Sequence, residues 1–137
     1  FSFSLDGNRF SGRIDQINQI ENGVELIDYK SSKTPIKIED AKTDLQLGIY
    51  LLASLLSPQL KDIKDFIKRM YYLYIPQKNK TIREQDVSES RINQIKHEIK
   101  KLIKEIINEN FPAYPRDFSI CRFCDYKLIC PRFYGHY

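Results

Sequence analysis

The amino-acid sequence predicts an α+β domain, with a mixed, largely antiparallel sheet flanked by helices in the order βββαββα and a cysteine-containing tail. Three observations carry this. The first thirty residues alternate apolar and polar side chains at period two, punctuated by turn signals at Asp6-Gly7-Asn8 and Asn22-Gly23. Leu45 to Leu56, "LQLGIYLLASLL", is a long run apolar on most sides, as a buried helix is. Ile92, Ile95, Ile99, Leu102 and Ile106 recur at spacings of three and four, one stripe along a lysine-rich helix.

Taken in order, "FSFSLD" (Phe1 to Asp6) is the first predicted strand, Arg9 to Ile20 the second and Val24 to Lys30 the third, together a three-stranded meander. "SSKTP" breaks it before the helix Leu45–Leu56, which "SPQ" ends. Phe66 to Ile75 is aromatic and β-branched and predicts a strand, and Thr81 to Gln85 a shorter one after "PQKNK". Asp86 and Glu89 form a possible capping box for the long helix, which runs to about Asn108 and ends before "FPAYP" because Pro cannot continue it. The lysines of that helix read more simply as a solvated face over a core stripe than as a DNA-facing surface.

The 137 residues suggest one domain, 1–137, with residues 116–137 as a Cys-rich tail. The opening alternation reads as a strand already under way, so the chain is expected to be N-terminally truncated relative to a longer protein. No apolar run is long enough to span a bilayer, which excludes a helical membrane anchor within the sequence and leaves a membrane out of the expected partners. A net charge of +4 permits a polyanionic partner without demanding one. The three cysteines all lie between Cys121 and Cys130. An odd, clustered set argues against a disulfide framework and for a reducing, cytoplasmic compartment with a metal or cluster site.

The charges in "GRIDQINQIENGVELIDYK" interrupt what would otherwise be core strands. With Asn22-Gly23 as the centre of a tight turn, Ile17 faces Asp28 and Asp15 faces Lys30, while Asp28 and Lys30 share a face by lying two apart. Asp15, Asp28 and Lys30 then converge on one patch. Two carboxylates beside a lysine make a hard oxygen site suited to Mg²⁺ or Mn²⁺, and such a site suits phosphodiester hydrolysis. The simpler alternative is a cross-strand salt bridge between Asp15 and Lys30, which leaves the second acid without a purpose.

"GRID", followed across a hairpin by "IDYK", resembles the PD-(D/E)XK nuclease superfamily, and in particular RecB-like nuclease domains of helicase–nucleases and CRISPR-adaptation exonucleases. Gly12 and Asp15 match its Gly-x-x-Asp pattern, Asp28 and Lys30 its acid-x-Lys pair, and Gln46 and Tyr50 the Gln-x-x-x-Tyr of the RecB branch. The resemblance implies a restriction-endonuclease-like core and a metal-dependent deoxyribonuclease acting on DNA, an exonuclease module of a DNA repair, recombination or CRISPR-associated protein with helicase or adaptation partner domains. It implies that Asp15 and Asp28 hold the ion with help from the Tyr29 carbonyl, and that Lys30 assists the attacking water or the transition state. Gln46 and Tyr50 sit four apart on one helix face; they would support the site or touch DNA. A catalytically inactive DNA-binding or scaffold module that keeps the fold is the alternative. The resemblance also implies an upstream helix bearing a further acid, which would lie before Phe1.

"CRFCDYKLIC" is C-x2-C-x5-C, and by itself suits Zn²⁺ or an iron–sulfur cluster equally. The resemblance favours a [4Fe–4S] cluster on Cys121, Cys124 and Cys130, completed by a distant N-terminal cysteine. No cysteine precedes Cys121 in this sequence. The fourth ligand is expected upstream of Phe1, with His136 a conceivable substitute, or the set is incomplete.

Overall fold

The computed structural model describes residues 1–77, 81–113 and 118–134. It divides into two compact units, Phe1–Ile99 and Lys100–Tyr137. His136 lies outside the described residues.

The first unit begins with a hairpin of β1 (Ser2–Leu5) and β2 (Asn8–Ser11), a two-stranded sheet of its own. Asp6 and Gly7 both take positive φ between the paired Leu5 and Asn8, the twist that suits a tight hairpin turn. The main sheet has four strands in the order β3 (Gln16–Ile20), β4 (Gly23–Lys30), β5 (Ile67–Tyr74) and β6 (Thr81–Glu84). The β3–β4 and β5–β6 pairs are antiparallel and β4–β5 is parallel, so the sheet is mixed and largely antiparallel as expected.

The expected meander is corrected in two respects. The continuous strand from Arg9 to Ile20 is two strands, split at Gly12–Asp15, and the halves belong to different sheets. Among the described residues the element order is therefore four strands, two helices, two strands and two helices rather than βββαββα. The turn between β3 and β4 is also displaced. Ile20 pairs with Gly23, so Glu21 and Asn22 form the turn and Gly23 opens the strand. A Cβ on Gly23 would stand 2.3 Å from the Phe66 carbonyl, so the glycine serves the close approach of that backbone rather than the turn's centre. The ladder consequently moves by two residues: Ile17 pairs with Leu26, not with Asp28. A shift of two preserves which face each side chain occupies, whereas a shift of one would have inverted it.

Parallel pairing of β4 with β5 requires a crossover, supplied by α1 (Ile38–Lys42), α2 (Leu45–Leu56) and two 3-10 turns, Pro58–Leu60 and Lys64–Phe66. α1 was not anticipated: five residues with one buried side chain, Ala41, carry no detectable apolar stripe. The bounds of α2 are those expected. Asp44 caps it, accepting the backbone N–H groups of Gln46 and Leu47 at 2.9 and 3.3 Å. Leu47, Leu51 and Leu52 of α2 join Leu26 of β4 and Met70 and Tyr74 of β5 in the core. Each fully buried leucine there contributes on the order of 1.5–3 kcal/mol.

α3 (Glu89–Ile107) is capped by Ser88, not by the expected Asp86–Glu89 box. The Ser88 hydroxyl accepts the Arg91 N–H at 3.2 Å, while Asp86 instead accepts the Ser88 N–H at 2.8 Å. Ile95 and Ile99 are buried, and Ile95 packs so closely on α2 that a Cβ on Gly48 would meet it at 3.1 Å. The later stripe positions Leu102 and Ile106, in the second unit, are exposed. That unit also contains the 3-10 segment Phe118–Phe123 and α4 (Pro131–Tyr134). Among the described residues no helix is long and apolar enough to cross a membrane.

Candidate active site

Alternation along β4 places Leu26, Asp28 and Lys30 on the sheet face that α2 covers. Leucine is the usual occupant of such a position; Asp28 is only 4% exposed. A carboxylate so withdrawn from water must be paired and hydrogen-bonded. Its Oδ2 forms an ion pair with Lys30 Nζ at 2.9 Å. Its Oδ1 accepts from Gln46 Nε2 at 2.9 Å and from the Tyr50 hydroxyl at 3.0 Å. The one-turn spacing of Gln46 and Tyr50 on α2 thus aims both side chains at the same oxygen, and Gln46 Nε2 also reaches the Tyr50 hydroxyl at 3.1 Å.

Gln46 has a fixed sense. Its Nε2 faces the carboxylate and its Oε1 accepts from Lys30 Nζ at 2.8 Å. The reversed amide would set N–H groups against the ammonium. Burial pushes the Tyr50 hydroxyl's pKa up; the Gln46 hydrogen bond opposes this and the Asp28 carboxylate adds to it. Tyr50 therefore stays a neutral donor to Asp28.

Asp15 lies one residue before the first pair of the β3–β4 ladder, Gln16 with Ile27, so the same register carries it to the level of Asp28 rather than of Lys30. The simpler alternative, an Asp15–Lys30 salt bridge, is not what forms: Lys30 pairs with Asp28. Asp15 Oδ2 accepts the Tyr29 backbone N–H at 2.9 Å, which holds the carboxylate against β4. Asp15 itself is exposed and its Oδ1 has no hydrogen-bond partner among the described residues. Gly12 fits its position because a Cβ there would stand 2.6 Å from the Phe1 ring.

The donor chemistry fits a small hard cation. Mg²⁺ keeps several waters and is bound through one or two carboxylates plus substrate phosphates, so a set of two acids suffices. Among the described residues no three His, Cys, Asp or Glu side chains are gathered in a form that could hold a metal. The acid pair would therefore rely on backbone, water or substrate oxygens. Cys121, Cys124 and Cys130 are half-buried free thiols, with the Cys124 N–H donating to the Cys121 carbonyl at 3.4 Å, and they are not drawn around a common point.

Two participants, Tyr72 and Asp44, escaped the sequence reading. Tyr72 of β5 pairs in register with Asp28. Its ring lies under Lys30, with Nζ 4.2 Å from the centroid. Its hydroxyl donates to Asp44 Oδ1 at 2.5 Å and lies 3.2 Å from Gln46 Oε1. The sequence signal was the alternation in "YYLY", which sends Tyr72 and Tyr74 to one face, but only the parallel register reveals which face. A cavity of about 590 Å³ beside the β3–β4 turn, lined by Ile17, Ile20, Ile63 and Phe66 among others, includes none of these residues.

A mixed sheet whose central strand presents an acid-x-lysine pair beneath a helix, with a second acid from the preceding strand's edge, defines a restriction-endonuclease-like α+β protein. The chain belongs to the PD-(D/E)XK nuclease superfamily, whose family model matches residues 1–131. It is also similar to a solved structure described as "Crystal structure of SSO0001", at 21% identity and a TM-score of 0.48. That likeness covers 96% of this chain and 56% of the other, so the chain spans little more than half of that structure's length. No curated protein matches it.

Proposed function

We propose that the chain is the catalytic domain of a Mg²⁺- or Mn²⁺-dependent deoxyribonuclease of the RecB-like kind, an exonuclease module acting in DNA repair, recombination or CRISPR adaptation. The observation that carries this is the buried Asp28 carboxylate, ion-paired to Lys30 and hydrogen-bonded by Gln46 and Tyr50. Nothing in core packing calls for such a group, and replacing a buried ionic cluster by apolar side chains is often neutral or stabilising. Its retention is understood if the carboxylate has a chemical task.

Asp15 and Asp28, with the Tyr29 carbonyl, would hold the divalent ion, which when bound polarises a phosphate oxygen and lowers the pKa of water. Asp28 is aimed by its three partners. Lys30 is held within reach of the same point and supplies positive charge where the phosphorus gains negative charge in the transition state. Gln46 fixes the lysine and the carboxylate relative to each other. Tyr50 closes the inner side of the site against water. The exposed edge at Asp15 is where a DNA strand would approach. The three free cysteines of the second unit are the candidates for a [4Fe–4S] cluster with a fourth ligand from outside this sequence, and no catalytic step depends on it.

The test is cleavage of end-labelled DNA by the full chain with Mg²⁺ or Mn²⁺, against an EDTA control. Asp15→Ala, Asp28→Asn and Lys30→Ala are each expected to lower the rate about 100-fold or more. Parental rates in all three variants overturn the reading, and DNA binding without any metal-dependent cleavage by the parent points instead to a scaffold. Iron analysis with an anaerobic visible spectrum tests the cluster separately.

A further inference from the structure

We infer that Tyr72 is a positioning residue of this site: its ring is the shelf on which the Lys30 ammonium rests, and its hydroxyl locks the start of α2, and with it Gln46, in place. This rests on the functional reading above, in which Lys30 acts at the scissile phosphate. Lysine is a poor instrument for fixed work unless restrained, because its four-carbon stem samples many rotamers. Here two of its three N–H donors are directed, one to Asp28 Oδ2 at 2.9 Å and one to Gln46 Oε1 at 2.8 Å. Two directed bonds leave the ammonium free to swing about the line joining its acceptors. The Tyr72 ring, 4.2 Å below Nζ, blocks that swing on the sheet side and attracts the charge through its π face.

The hydroxyl has one proton and two neighbouring acceptors. The shorter contact, 2.5 Å to the Asp44 carboxylate, is the charge-assisted one and takes it; Gln46 Oε1 at 3.2 Å is left to Lys30. Asp44 also accepts the backbone N–H groups of Gln46 and Leu47, so one carboxylate joins β5 to the first turn of α2. The lysine of β4 and the glutamine of α2 are therefore both registered against one residue of β5. Burial, with Asp44 as the next cause, pushes the Tyr72 hydroxyl's pKa upward, which keeps the proton in this bond.

The experiment uses the full chain and two readouts. In the first, cleavage of labelled DNA with Mn²⁺ is measured for the parent, Tyr72→Phe and Tyr72→Leu. Loss of the hydroxyl alone is expected to lower kcat about tenfold, and loss of the ring about 100-fold, the scale of a misplaced reacting group, with KM for DNA changed less than about twofold in both. In the second, NMR of the Lys30 ε-methylene is expected to show an upfield ring-current shift in the parent and the phenylalanine variant, absent in the leucine variant. Should the leucine variant fail to fold, the phenylalanine variant's kcat and the parent's ε-methylene shift decide. An unshifted parental resonance, or a phenylalanine variant as fast as the parent, overturns the assignment of Tyr72. Asp28→Asn run alongside separates the two readings: undiminished cleavage there defeats the nuclease site, while the resonance still judges the shelf.

Discussion

The Gln46 carboxamide bridges the two charged groups of β4, donating from Nε2 to Asp28 Oδ1 at 2.9 Å and accepting at Oε1 from Lys30 Nζ at 2.8 Å. One neutral side chain from a helix thus reads both ends of an ion pair on a strand, and its amide orientation is determined by the signs of its neighbours. This makes the site a joint product of β4, α2 and β5 rather than of the hairpin alone.

Asp44 should be worth more to stability than an ordinary helix cap. Asp44→Ala removes the acceptor for two α2 N–H groups, a loss of about 1 kcal/mol. It also leaves the buried Tyr72 hydroxyl only its longer contact with Gln46 Oε1, costing up to a further 1–3 kcal/mol or so. Denaturant unfolding is expected to show a sum near the upper half of that range. Asp44→Asn, which keeps an acceptor, should recover most of it.

Alkaline pH should weaken the fold through the tyrosines of the site. Tyr50 and Tyr72 both have pKa values raised above the ordinary 10.0, chiefly by burial. The folded state therefore holds these protons more tightly than the unfolded chain does. The stabilisation linked to them is fully present below pH 10 and is lost as pH rises beyond it. A stability profile is expected to be level in this respect up to about pH 10 and to fall above it, and the double variant Tyr50→Phe/Tyr72→Phe should flatten that fall.

Gly23 should tolerate no side chain. Its φ of +153° and the Phe66 carbonyl, 2.3 Å from where a Cβ would sit, oppose substitution together. Gly23→Ala is expected to cost more than about 1 kcal/mol in unfolding experiments. Asn22→Gly, in the turn itself, should be tolerated far better. Equal effects would return the turn's centre to Asn22-Gly23.

How much could be read from residues alone follows from the range of the forces involved. The bounds of α2 were legible because a continuous apolar run and the "SPQ" that ends it are local signals. Strand alternation puts Asp28 and Lys30 on one face, and a one-turn spacing does the same for Gln46 and Tyr50; that the two pairs belong to one site came from the family resemblance and not from either period. The turn was misplaced by one residue because Asn22-Gly23 is a strong hairpin dipeptide, and what overrides it is a carbonyl from Phe66, distant in sequence. The partner of Lys30 was misassigned for the same reason. The split of Arg9–Ile20 between two sheets, the cap at Ser88 and the roles of Asp44 and Tyr72 depend on tertiary neighbours that no local pattern announces. The exposed Leu102 and Ile106 continue a perfect heptad-like spacing, which shows that periodicity specifies a helix face without specifying what lies against it.

The parallel pairing of β4 with β5 has a kinetic side. A hairpin closes in microseconds, but two parallel strands joined through helices must wait for a long loop to close before their contacts reward it. Both acids and the lysine are made before the crossover, while the strand that packs beside them follows only after the whole crossover has been translated. During that interval the chain possesses its reactive groups without their alignment. The charged cluster is thus seated only once Tyr72 lies alongside Asp28.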